Sequence, residues 1–169
     1  MDWSLDSLNL WIHLLGTAFC FGGSVFVAFY FLPNQPETLE PGPLLTAKVE
    51  TFRAWLYANL MAMMITFMTG VFNLLKYKEA WGTDYFSAVW SILMPKFFFV
   101  LLFVLMCAMA AMGLGMKYIR IATGLIEVDD VPAMLAKYEK KLWRIHIVLA
   151  VLVAITSFFG LQIVKLIRT

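Results

Sequence analysis

The chain has 169 residues, 62% of them hydrophobic and 14% charged, with a mean hydropathy of +0.82 and a formal net charge of +2. These proportions exclude a water-soluble domain. So small a charge, without a basic patch and interleaved aromatics, also excludes a nucleic-acid partner. Four apolar runs are long enough to span a hydrocarbon core of roughly 30 Å: 8–32, 54–75, a stretch within 86–116, and 142–167. The expectation is a single all-α domain, residues 1–169, folded as an integral membrane four-helix bundle with helices at about 8–32, 54–75, 89–116 and 142–167.

The first run is preceded by Asp2 and Asp6 and by no Lys or Arg, so it is not a cleavable signal and stays as helix 1. His13 lies inside it. An imidazole in a membrane segment needs a partner for its ring nitrogens, and a metal or haem iron is one candidate. Gly16, Cys20 and Gly23 follow on the same helical face, with Thr17 and Ser24 at its edge, so no large side chain covers that face for almost three turns. Such a groove either leaves room for a flat macrocycle beside His13 or receives a neighbouring helix closely, with the histidine hydrogen-bonded across the interface.

Pro33, Pro36, Pro41 and Pro43 make the next connection extended, after which Leu44–Arg53 reads as a helical lead-in to helix 2. Helix 2 carries Met61, Met64 and Met68. Helix 3 carries Met106, Met109 and Met116 with Cys107 nearby. Soft sulfur ligands at one depth suit copper transfer, and flexible packing is the other account of them. Cys20 and Cys107 both fall inside membrane segments and say little about redox compartment.

In helix 3, Lys96 follows Pro95 and precedes Phe97, Phe98, Phe99 and Phe103, an aromatic wall suited to a porphyrin or a quinone. A neutral lysine amine can ligate a metal. Alternatively, Pro95 opens the span and Lys96 is a snorkelling interfacial cation. Gly124 reads as the stop of helix 3, and Asp129 or Asp130 as the cap of a helix with Pro132 in its first turn that runs into helix 4. His146 stands near the start of that span after Arg144. There it reaches water or headgroups, or ligates a second, inner haem.

Basic residues set the orientation. Lys48, Arg53, Lys117, Arg120, Lys137, Lys140, Lys141 and Arg144 lie on the two long connections, against Lys76, Lys78, Lys165 and Arg168 on the other side. The long connections are therefore cytoplasmic and both termini lie on the outer side. His13 and Lys96 then share the outer leaflet. His146 lies in the inner one, too far from His13 for the pair to clamp one iron.

His13-Leu14-Leu15-Gly16 with Phe21-Gly22-Gly23 resembles the first-helix signature of the membrane-bound protoporphyrinogen IX oxidases of the haem pathway and of the related copper-resistance D proteins. Glu50, Arg53, Leu56-Tyr57 and Thr69-Gly70 resemble the second helix of that group, and Pro95-Lys96 its third. The resemblance covers helices 1 to 3. It implies haem b held by His13 and Lys96. The chain departs from the oxidase branch at Lys140–His146, where that branch has an Asn-Glu-x-Pro-like sequence, and in helix 2, which lacks its proline.

The candidate cofactor-binding residues are thus His13, Lys96, Gly16 and Phe99. His13 and Lys96 are the expected iron ligands, with His146 as a further candidate. The expected function is that of a haem b protein for electron transfer or oxidation of a membrane-soluble substrate; the alternatives are a non-catalytic subunit or scaffold of a larger membrane complex, and copper transport. The expected partners are the lipid bilayer and either further copies of the chain or a membrane complex. The expected location is the cell membrane, as a multi-pass protein of the bacterial inner-membrane kind.

Overall fold

The computed structural model describes residues 5–33 and 42–168, which form four long helices: α1 (Leu5–Phe31), α2 (Pro43–Trp81), α3 (Asp84–Ala122) and α4 (Val131–Arg168). Each is long and apolar enough to cross a membrane. The 39 residues of α2 extend about 58 Å at ~1.5 Å per residue, well beyond a bilayer core. Asp2, Pro36 and Pro41, with the extended connection expected around the two prolines, lie outside the described residues.

Local chemistry sets the ends. Pro43 occupies the first turn of α2, where its missing N–H costs nothing, so the lead-in and the span form one continuous helix. Gly82, at φ +65°, closes α2 by donating its N–H to the Lys78 carbonyl at 2.8 Å, and α3 begins two residues later. At the far end of α3, Gly124 sits at φ +72°. Its N–H donates to Ile121, and the Ile126 N–H donates to Arg120, which satisfies the last carbonyls. Asp130 Oδ1 accepts the Ala133 N–H at 2.9 Å and caps α4. Two segments widen to π geometry, Val27–Phe31 and Met109–Gly115, and shift the side-chain register at the ends of α1 and α3 nearest the long connections.

The helices form a ring. α1 packs on α2 and α4, and α3 packs on α4 and less extensively on α2; along the diagonals α1–α3 and α2–α4 no backbones come close among the described residues, and α2 reaches α4 through side chains alone, Trp55 against His146 and Lys48 with Glu139. The small-residue face of α1 is filled by α2 of the same chain. A Cβ on Gly16 would collide with Thr66 Oγ1, and one on Gly23 would sit 3.0 Å from Trp55 Nε1. Close backbone approach of this kind is what glycine permits between apolar helices. Gly16→Leu is expected to lift α1 off α2 at a cost of about 1–3 kcal/mol. The midpoint of unfolding in detergent measures this, and an unchanged midpoint would place Gly16 outside the contact.

The core divides into two clusters. The larger one, toward the long connections, is built around Phe52, Tyr118, Leu142 and Leu149. The smaller one, toward the α2–α3 turn, contains Tyr85, Val89, Leu93 and Ile163. Large apolar side chains such as Phe29, Phe98, Leu101 and Phe158 are exposed around the outside, as expected of helices that meet lipid. Beyond the larger cluster, Lys48 pairs with Glu139. The Tyr118 hydroxyl donates to the same carboxylate at 2.9 Å, and the ammonium lies 5.5 Å from the Tyr118 ring centroid. This latch ties α2, α3 and α4 together.

Candidate functional site

Between the two clusters lies a cavity of about 440 Å³ bordered by all four helices. Cofactor sites of roughly 300–1,000 Å³ are usual. His13 borders it from α1 and Lys96 from α3, the diagonal pair. The ring arrangement therefore lets two helices whose backbones stay apart present side chains to one space.

α2 fixes the His13 ring. Nδ1 lies 2.9 Å from the Thr66 carbonyl oxygen and 3.1 Å from Thr69 Oγ1. A carbonyl only accepts, so Nδ1 carries the proton, and in the neutral ring Nε2 keeps its lone pair. Thr69 spends its own proton on the Ile65 carbonyl at 2.7 Å, which turns its lone pairs to the imidazole. Gly70 makes room, since a Cβ there would stand 3.0 Å from His13 Cε1. A ring nitrogen tied to a backbone carbonyl, with the other nitrogen left over, is the arrangement in which histidines ligate metals. Two further contacts hold α1 to α2 above it: Asn9 Nδ2 donates to the Thr69 carbonyl and to Asn73 Oδ1, and Asp6 pairs with Lys76.

Lys96 makes no hydrogen bond or ion pair among the described residues. Its Nζ lies 3.5 Å from the point where a Cβ on Gly160 of α4 would stand. Helix α3 begins at Asp84, twelve residues before Lys96, so Pro95 is internal to the helix and not its first turn. The expectation that Pro95 opens the helix is corrected. Pro95 also leaves the Ser91 carbonyl without its usual partner.

The other residues singled out from the sequence separate. Phe97 and Phe103 border the cavity, whereas Phe99 stacks on Phe159 with ring centroids 5.9 Å apart. Gly16 faces Thr66 and not the cavity. His146 is wholly buried in the larger cluster, so the expectation that it reaches water or headgroups is corrected. Its Nδ1–H donates to the Leu142 carbonyl at 2.7 Å, its ring centroid lies 5.1 Å from that of Trp55, and Nε2 has no partner among the described residues. Met63 and Cys20 border the cavity, while Met61, Met64, Met68 and Met109 are exposed on the outside. Asn59 Nδ2 reaches Cys107 Sγ at 3.2 Å and bridges α2 to α3. Among the described residues, no set of three His, Cys, Asp or Glu side chains gathers to hold a bare metal ion.

Sequence reasoning missed the contribution of α2. Met63, Thr66, Gly70, Asn73 and Tyr77 recur at intervals of three and four along one face, and all border the cavity. Within that stripe the small and polar residues Thr66, Gly70 and Asn73 were available as a signal. No family model, curated protein or solved structure matches the chain.

Proposed function

We propose that the cavity holds a haem b whose iron His13 and Lys96 would ligate, and that the protein serves electron transfer or the oxidation of a membrane-soluble substrate. The observation that carries this reading is the presence of two nitrogen donors on diagonal helices at one cavity, one of them already anchored through its other nitrogen. The walls fit an apolar ring: Leu14, Phe97, Val100 and Phe103 all border the space. No carboxylate competes for the Lys96 nitrogen among the residues that line it. The resemblance of helices 1 to 3 to the protoporphyrinogen IX oxidase and copper-resistance D group supports the same ligand pair.

A bound haem supplies one-electron redox chemistry, at a potential tuned by its ligands and its burial. The chain's own part is positional. Thr66 and Thr69 orient His13, Gly70 admits its ring, and the apolar walls keep water from the site. Ligation by both His13 and Lys96 would leave oxygen no free place at the iron, which favours electron transfer over oxygen chemistry.

In the membrane, the positive-inside rule points the α2–α3 turn and both termini outward; the membrane in this reading is a cell membrane of the bacterial inner-membrane kind. Association with further copies or within a membrane complex is part of the same reading. The scaffold alternative draws less support, since the groove meant for a partner helix is filled by α2. Copper transport also draws less, since Met61, Met64 and Met68 face outward.

Lys96 supplies the test. Lys96→Ala should open the iron to carbon monoxide, whereas the parent should not bind it. Lys96→Met should raise the midpoint potential, as thioether ligation does. Spectra and potentials that match the parent in both variants would remove Lys96 from the ligand set.

A further inference from the structure

Tyr85 is the second residue of α3, is 0% exposed, and borders the cavity at its end nearest the α2–α3 turn. Its hydroxyl is buried without a hydrogen-bond partner among the described residues. Folded proteins rarely leave such a group unpaired, because it has lost water and gained nothing in return. Nearby polar groups do not account for it. Asn73 also borders the cavity, but its Oδ1 accepts from Asn9. Tyr77 packs against the same small cluster from the neighbouring helix α2, yet makes no hydrogen bond to Tyr85. Lys96 lies eleven residues further along α3, about 16 Å of helix axis. The cavity therefore has nitrogen donors along its length, the unspent Tyr85 hydroxyl at its end and a second unpaired hydroxyl, Thr66 Oγ1, on its α2 wall.

We propose that Tyr85 is a recognition residue, whose hydroxyl donates a hydrogen bond to an oxygen acceptor on the edge of a flat apolar ring bound in the cavity. The inference rests on the reading that the cavity takes such a ring. A haem propionate and a quinone carbonyl share the required chemistry, and experiment separates the two sources. The phenol fits this task because its ring is held by Val89, Leu93 and Ile163 of the small cluster, which leaves only the oxygen to act.

Tyr85→Phe removes that oxygen alone and leaves the packing in place. In the detergent-solubilised full-length protein without ligand, the variant should melt at or above the parent, because an unpaired buried hydroxyl has been deleted. Binding is then titrated with haemin and, separately, with a ubiquinone bearing a short isoprenoid tail. The variant should lose about tenfold in affinity for at least one probe. Loss for haemin alone assigns the acceptor to a propionate, loss for the quinone alone assigns it to a carbonyl, and loss for both assigns a position the two ligands share. Equal affinity of parent and variant for each probe overturns the inference, as does failure of the parent to bind either. A clear fall in the melting temperature of the unliganded variant also overturns it, since the hydroxyl would then be satisfied within the fold. Quinone binding that depends on Tyr85, in a parent that takes no haemin, would keep this inference and remove the haem assignment. Haemin binding that ignores the substitution, in a parent that takes no quinone, would do the reverse.

Discussion

His13→Ala is expected to abolish haem retention while the protein remains folded and inserted. The imidazole contributes to stability mainly through one shared hydrogen bond to α2, worth about 1 kcal/mol, whereas for the cofactor it supplies an iron ligand. The purified variant should therefore keep its helical circular dichroism and lose its Soret band. His146→Ala should retain a full complement of haem, because that ring lies in the larger cluster beside Trp55 and does not border the cavity. Thr69→Val belongs between the two. It removes the hydroxyl acceptor and leaves the Thr66 carbonyl, so haem should remain with weakened occupancy. Haem at the parent level in His13→Ala would contradict the ligand assignment.

The second large effect concerns stability. The side chains of Lys48 and Glu139 are only 9% and 12% exposed, and Glu139 also accepts from Tyr118. Removing one member of so buried a pair strands the charge of the other, and Glu139→Ala is expected to cost about 3–5 kcal/mol. Tyr118→Phe deletes one hydrogen bond to the same carboxylate and should cost less, about 1–2 kcal/mol. Replacing Lys48 and Glu139 together by Met and Leu should recover much of the loss, because no lone charge remains. Denaturant titration in detergent gives these values. The haem bound per folded molecule should not change across the set, since the latch lies beyond the larger cluster and outside the cavity. A single-variant cost below about 1 kcal/mol would show that the pair is solvated and only superficially coupled.

Length and hydropathy were enough to place the four helices, because a span is a property of composition over twenty residues. The stops were legible for a similar reason: Gly124 and Asp130 act through their own backbone and side-chain chemistry, which needs no tertiary partner. Helix α3 begins at Asp84, earlier than its apolar run suggests, because Tyr85 and Val89 gain burial against α4 and prolong the helix. The π segments leave no mark in composition, since a widened turn uses the same residues.

The site was legible in its donors and not in its walls. His13 and Lys96 drew notice because a nitrogen in an apolar run needs a partner. What lies opposite a small-residue face is a tertiary fact, and Gly16 meets α2 as readily as it could have met a macrocycle. Phe99 illustrates the limits of counting along one helix. Leu93, Phe97, Val100 and Val104 mark the cavity face of α3 at intervals of four, three and four, with Lys96 and Phe103 on one flank, and Phe99 lies beyond that flank, stacked on Phe159.

The central claim is that the cavity holds a haem, and the absorption spectrum of the purified, full-length protein tests it most directly. The protein is made in haem-replete cells or incubated with haemin, and its haem is counted as the pyridine complex. The account predicts a Soret band, split visible bands on reduction, one haem b per chain, and no change on exposure to carbon monoxide. A folded, monodisperse preparation that carries no Soret band after incubation with haemin would contradict it.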